Sequence, residues 1–160
     1  MLDGVDLFWR ARAYDDIARL PADERGKILP YILAWAAKGE TASGREVIAG
    51  FNKSFEIRRA CAGLFEDVDV VLSPVSPTLS FPAEFASPQN DPERPFDHIT
   101  FTVPWNFSEQ PAISVPAGFS KSGMPIGMQL VLPRFADAET LSLASWFEQA
   151  RGPLRNWPIG

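Results

Sequence analysis

PAISVPAGFSKSGMPIGMQLVLP, residues 111–133, decides how the chain is read. It holds two short apolar runs, 111–118 and 126–133, separated by the turn-forming SKSGMP. Runs of that length bounded by Gly, Ser and Pro read as strands, and so short a link predicts that they pair. Upstream, VDVVL at 68–72 is short, β-branched and almost wholly apolar, which predicts a central strand covered on both faces. Downstream, Asp137 is predicted to cap a last helix with Leu141, Ala144 and Phe147 facing inward, ended by Gly152-Pro153.

Proline divides the chain into two regimes, because of its 15 prolines only Pro21 and Pro30 precede residue 74. The first 66 residues accordingly read as helices. Leu7, Phe8, Ala11, Tyr14, Ile17 and Leu20 form an amphipathic stripe that stops before Pro21, and residues 22–27 form a separate short turn. Pro30 suits a first helical turn, so a second main helix is expected from Leu29 to Lys38, with Gly39 as a left-handed stop. Ser43 and Glu46 make a capping box that opens a long helix. On that helix Ile48, Phe51, Phe55, Ala62 and Phe65 share one stripe flanked by Val47, Ile57, Cys61 and Leu64, so burial on more than one side is expected. From Ser73 to Pro95 six prolines forbid a regular ladder, and a long surface loop results. Residues 96–108 are expected to be helical around Pro104.

The composition excludes several functions. With 46% hydrophobic and 22% charged residues in 160, the chain can form a globular core. A net charge of −5 without a Lys/Arg cluster offers nothing to neutralise a row of phosphates, so no nucleic acid partner is expected. No run of 18 apolar residues, basic membrane face or N-terminal export signal is present, and a soluble cytoplasmic protein without a membrane partner is expected. One cysteine, Cys61, and one histidine, His98, exclude an internal disulfide, a thiolate zinc cage and the usual multi-histidine metal sites.

Cys61 and His98 together suggest a thiol nucleophile with its base, but Cys61 lies mid-helix in an apolar stripe, where cysteine serves as a small filler. Glu66, Asp67 and Asp69 flank a helix-to-strand joint and read as solvated acids, with Asp69 the one that could turn inward. A serine nucleophile needs a base and oxyanion donors, and neither Ser-x-x-Lys nor Gly-x-Ser-x-Gly occurs.

Four elements at matching spacing resemble the C-terminal part of an amidase signature enzyme. They are the Asp-Val-Val-Leu-Ser-Pro segment at 69–74, Pro-Trp-Asn at 104–106, Pro-Ala-Ile-Ser-Val-Pro-Ala-Gly at 111–118 and Gly-Met-Gln-Leu-Val at 127–131. The resemblance covers residues 66–150, and the helical first third fits less distinctively. It implies an α/β fold, part of a mixed sheet: about three strands with flanking helices, a helical N-terminal third and a missing partner layer. Residues 1–160 then form one segment, helical over 1–66 and carrying strands, Pro-rich loop and terminal helix over 67–160.

The resemblance also implies a mechanism, carboxamide hydrolysis by a Ser–cis-Ser–Lys triad beside a glycine-rich oxyanion hole, without cofactor or metal. The Gly-Gly-Ser-Ser-Gly signature and its upstream lysine have no counterpart in this sequence, so none of the catalytic residues is expected in this chain. The implied partner is the missing N-terminal catalytic part or a self-associating copy, and the implied substrate of the whole is a small amide. The competing class is a non-catalytic structural or interaction subunit. Ile99, seven residues before Asn106, stands where the tRNA-linked glutamine branch of the family has an acid and a fatty-acid amide branch an apolar residue, so Phe96, Ile99 and Val103 are the substrate-lining candidates. Where the commonest family pattern has glycine, this chain has Glu109, which tolerates positive φ poorly; a helical turn is expected there instead.

Overall fold

The apolar run at 126–133 becomes the middle of a sheet because it pairs on both sides. The computed structural model describes residues 3–154. Their order is α1 (Asp3–Ala18), α2 (Ala22–Arg25), α3 (Pro30–Ala37), α4 (Gly44–Leu64), β1 (Val71–Pro74), a 3-10 turn (Asp97–Ile99), α5 (Val103–Ser108), β2 (Ala112–Phe119), β3 (Pro125–Val131) and α6 (Asp137–Arg151). The strands run β1-β3-β2, both pairs antiparallel, with Val71 opposite Val131 and Ser114 opposite Gln129. The expected pairing of the two runs is therefore present in a mixed α/β fold. Among the described residues the run at 68–72 supplies an edge strand and not a central one. Val68 and the three acids Glu66, Asp67 and Asp69 stay exposed, the chain enters the ladder only at Val71, and β1 lies at one edge of these three strands. None of the described helices is long and apolar enough to cross a membrane.

The contacts divide the chain into two units, Met1–Ile57 with Ser80–His98, and Arg58–Leu79 with Ile99–Gly160. In the first unit α1 packs on α3 around Val5 and Ala36. Arg10, 4% exposed, donates from Nε to Asp6 at 2.7 Å, from Nη1 to the Trp35 carbonyl at 3.0 Å and from Nη2 to the Pro92 carbonyl at 2.8 Å. Its guanidinium also lies 5.6 Å from the centroid of the Trp35 ring. Asp6 in turn accepts from Trp35 Nε1 at 2.9 Å, and the Tyr31 hydroxyl donates to the Asp91 carbonyl at 3.1 Å. A loop without a ladder needs such donors for its carbonyls.

The long helix starts as expected: the Ser43 amide donates to Glu46 at 2.9 Å and the Glu46 amide to the Ser43 hydroxyl at 3.3 Å. These serine hydrogen bonds hold the Glu46 carboxyl below the usual carboxylate range. Burial of its stripe does not follow. Ile48, Phe51 and Phe55 are exposed, while Ile57 and Cys61 are buried. Gly50 on this helix marks a close approach of α1, since an added Cβ would lie 2.2 Å from the Gly4 carbonyl oxygen. Gly39 likewise serves close approach and not a left-handed stop. A Cβ there would lie 2.4 Å from the Arg10 carbonyl, and the cap residue Lys38 is right-handed at φ −66°.

In the second unit α6 covers one sheet face over β2 and β3, burying Val115, Leu130 and Ala144 with Ile113, Met128, Leu143 and Phe147 around them. Leu141 is exposed, against expectation, because the inward positions are 140, 143, 144 and 147, and residue 141 is turned about 100° from 140. Asp137 is the first helical residue and not the cap, which is Ala136 with no side-chain bond. Its charge still suits the first turn. On the opposite face Gln129 Nε2 donates to the Ser73 hydroxyl at 3.0 Å and to the Phe101 carbonyl at 3.1 Å.

Glu109 overturns the expected helical turn. It closes α5 in the left-handed conformation at φ 62°, ψ 24°. Arg58 Nη2 donates to its Oε1 at 2.5 Å and Arg134 to its Oε2, so one carboxylate joins α4 to the segment after β3. Two half-exposed ion pairs, each worth about 0–1 kcal/mol, offset a left-handed penalty of about 1–2 kcal/mol.

Two pairs of substitutions check these assignments by thermal or urea denaturation of the chain. Gly50→Ala should destabilise by about 1–3 kcal/mol through overpacking, although alanine is the better helix former. Gly63→Ala on the same helix, with open space around it, should stabilise by up to about 1 kcal/mol. Equal effects would contradict the close approach of α1 and α4. Glu109→Ala should be less stable than Glu109→Gly by about 1–2 kcal/mol, since both lose the ion pairs and only glycine relieves φ. No difference between the two would contradict the left-handed geometry.

Candidate functional site

The three substrate-lining candidates fall in different surroundings. Phe96, half-buried, belongs to the first unit, where its ring centroid lies 4.9 Å from that of Trp9 and 6.3 Å from that of Trp35, both edge-on. Ile99 and Val103 belong to the second unit. Ile99 ends the 3-10 turn, and its carbonyl accepts both the amide of Thr102 at 3.0 Å and its hydroxyl at 3.1 Å. Those two hydrogen bonds fix the chain between the turn and α5, and the residue remains half-buried. Val103 opens α5 with Pro104 behind it and is 3% exposed. The structure thus brings Ile99 and Val103 together on one short connection, and seats Phe96 in an aromatic cluster with Trp9 and Trp35.

The other chemistry-bearing residues are occupied structurally. Cys61 is buried, with its thiol 3.9 Å from the Pro104 carbonyl. Burial pushes its pKa up and outweighs a smaller opposing influence of the Ser108 side chain. A thiol held protonated is a poor nucleophile. His98 belongs to the first unit, with its ring 5.7 Å from that of Phe81, and Cys61 to the second. The carboxylate nearest in sequence to Ile99, Asp97, is paired with Arg94 at 2.7 Å. Among the described residues no group of three His, Cys, Asp or Glu side chains is placed to hold a metal ion.

Sequence reasoning missed an apolar groove in the second unit. It has a volume of about 330 Å³ and runs beside α6 over β1 and β3, lined by Val70, Leu72, Met128, Leu130, Trp146 and Phe147. Leu72 is 61% and Trp146 63% exposed. A second groove of about 330 Å³ begins at the same Leu72 and Met128 and continues to Ala117 and Ile126. The available signal was in α6, where Leu141, Leu143, Ala144, Trp146 and Phe147 spread over more of the helix circumference than one inward stripe needs.

Comparisons with known proteins agree with this architecture. The family model described as Amidase matches residues 13–141. A glutamyl-tRNA(Gln) amidotransferase subunit from Prochlorococcus marinus strain MIT 9313 is 32% identical over an alignment of 168 residues, covering 99% of this chain and 33% of that protein. Its counterpart in strain MIT 9211 is 41% identical over 104 residues, 65% of this chain and 21% of the relative. A crystal structure of an amidase shares the fold with a TM-score of 0.76 at 20% identity, over 94% of this chain and 36% of that one. The chain therefore spans a third or less of the curated relatives it matches. With a family match that runs from within α1 to within α6 and takes in every strand of the sheet, the chain belongs to the amidase family.

Proposed function

We propose that the chain is the C-terminal portion of an amidase signature hydrolase and acts only with the remainder of that enzyme. The observation that carries this reading is the family match over residues 13–141 in a chain that spans 33% of a relative it covers almost end to end. In the whole enzyme a serine attacks the amide carbonyl carbon, and the lysine and middle serine pass its proton to the leaving amine. Water then cleaves the acyl ester, releasing the acid and restoring the serine. This chain supplies sheet core and one wall of the substrate pocket.

Ile99 sets the substrate class. An isoleucine at that place cannot repay the desolvation of an ammonium, and Asp97, two residues earlier, is already neutralised by Arg94. The reading therefore favours uncharged, apolar amides over free glutamine, although the curated relatives are named as glutamyl-tRNA(Gln) amidotransferase subunits. Val103 is assigned to the same wall, and Phe96, packed against Trp9 and Trp35, is kept as a separate substrate-lining candidate of the first unit.

The isolated chain should show no turnover of aryl or aliphatic amides above buffer, and activity should require the catalytic part. Turnover by the chain alone that survives Cys61→Ala would overturn the reading. Failure of every complementing catalytic part to give turnover would favour the non-catalytic role. In the complete enzyme Ile99→Asp should lower kcat/KM on apolar amides more than Ile99→Ala, whose loss of methylenes is worth about 1–3 kcal/mol. Identical acyl-chain-length profiles in wild type and in variants of Phe96, Ile99 and Val103 would mean that these residues are core.

A further inference from the structure

We infer that Arg58 and Arg134 are positioning residues for the substrate wall. They act through Glu109: by gripping that strained residue they fix α5, and with it Ile99 and Val103, in one conformation. This deepens the proposed function and rests on its assignment of Ile99 and Val103 to that wall.

The strain comes first. Glu109 closes α5 at φ 62°, ψ 24°, a left-handed conformation that glycine adopts freely and a residue with a Cβ does not. Such a residue persists where its surroundings over-determine it. Here the surroundings are two guanidinium groups of the same unit. Arg58 Nη2 donates to Oε1 at 2.5 Å and Arg134 Nη2 donates to Oε2, so each carboxylate oxygen is held by a different arginine. Arg58 Nε also donates to the Phe107 carbonyl at 3.3 Å, one of the carbonyls that a helix end leaves without an intrahelical partner. The end of α5 is thereby tied to α4 and to the segment after β3.

The grip reaches the wall through a continuous run of backbone contacts. The Glu109 amide donates to the Trp105 carbonyl at 2.9 Å, and the next residue, Asn106, donates its amide to the Thr102 carbonyl at 3.3 Å. The Thr102 amide and hydroxyl both donate to the Ile99 carbonyl, at 3.0 and 3.1 Å. Glu109 and Ile99 stand at the two ends of that run, and Val103 lies inside it. Helix α5 has six residues, less than two turns, so release of its last turn leaves no second turn to absorb the change.

The charges therefore decide how firmly the wall is set. With both ion pairs made, the left-handed turn is held; without them, the strain at Glu109 favours local opening of α5. The side chains of Arg58, Glu109 and Arg134 are 37%, 44% and 44% exposed, so salt reaches the pairs and weakens them. Glycine at 109 would need no grip and would make the arginines dispensable.

The test reads amide hydrogen exchange at Thr102 and Asn106 in the chain, and the acyl-chain-length profile of kcat/KM in the complete enzyme. Arg134→Gln and Glu109→Gln should each speed exchange by about two- to fivefold, the range set by half-exposed ion pairs. Arg134→Lys, which keeps the charge, should do so less. In a Glu109→Gly background Arg134→Gln should leave exchange unchanged. Arg134 also lies over the Phe135 ring at 4.8 Å from its centroid, but that contact is lost equally in both backgrounds. Raising NaCl from about 0.1 to about 1 M, which shortens the Debye length from about 10 to about 3 Å, should speed exchange in the wild type and not in Glu109→Gly. The wild-type salt series needs no substitution, and circular dichroism identifies any variant that fails to fold. In the complete enzyme Arg134→Gln should narrow the kcat/KM ratio between long and short apolar amides at least twofold, and adding Glu109→Gly should restore it. Equal effects of Arg134→Gln on exchange in both backgrounds would overturn the grip and leave the proposed function standing. Coupled exchange with an unchanged substrate profile would overturn the positioning role. Absence of turnover in every complete enzyme would overturn the proposed function and, with it, the role in the wall, while the exchange cycle would still decide the grip.

Discussion

A sheet face that is apolar across three strands and covered over two is the constraint on which the second unit depends. Val115, Leu130 and Ala144 are buried because α6 lies over β2 and β3, and Leu72 is exposed because none of the described residues covers it. The same asymmetry explains α6 itself. Its inward residues close a small core, while Leu141 and Trp146 present apolar surface to solvent. Exposed apolar residues are ordinary when scattered, but neighbouring ones around a groove mark a contact surface.

The first unit is organised by a buried cation. Arg10 uses Nε, Nη1 and Nη2 on Asp6, Trp35 and Pro92, and thereby ties α1 and α3 to a loop that cannot form its own ladder. Removing either Arg10 or Asp6 would strand the other's charge, which is costlier than losing a neutral hydrogen bond. Tyr31 and Lys38 reinforce the same attachment through Asp91 and Glu93. A proline-rich segment with a fixed path can present Phe96, which follows it, in one conformation. Proline restriction contributes on the unfolded side as well, by leaving that segment less entropy to lose.

What was legible in the sequence was whatever is decided within a few residues. The hairpin of β2 and β3, the capping box at Ser43 and the first-turn placement of Pro30 follow from turn chemistry and local hydrogen bonding. What was not legible depends on contacts far apart in the chain. Gly39 looked like a helix stop and is a point where Arg10's backbone approaches. Glu109 looked too bulky for a left-handed turn, and no local rule shows that Arg58 and Arg134 will both reach it. The stripe of Ile48, Phe51 and Phe55 was read correctly as apolar, but periodicity says only that a face is apolar and not what covers it. The candidate site shared that limit. Spacing put Ile99 and Val103 on one connection, yet the groove between β1 and α6 required the order of strands.

These exposed faces bear on stability as well as on recognition. Fully burying a Leu, Ile or Phe side chain is worth about 1.5–3 kcal/mol, so the surface left at Ile48, Phe51, Phe55, Leu72 and Leu141 is comparable with a domain's whole net stability of about 5–15 kcal/mol. The chain is held by its own contacts, the Arg10 network in one unit and the α6 core in the other. A partner that covers such a face and binds only the folded form adds RT ln(1 + [L]/Kd), about 2.7 kcal/mol at a hundredfold excess over Kd. On the proposed reading, the catalytic part would then supply more than the nucleophile. It would raise the stability of the very segment that carries Ile99 and Val103, and the pocket wall would be firmest only when the residues that use it are present.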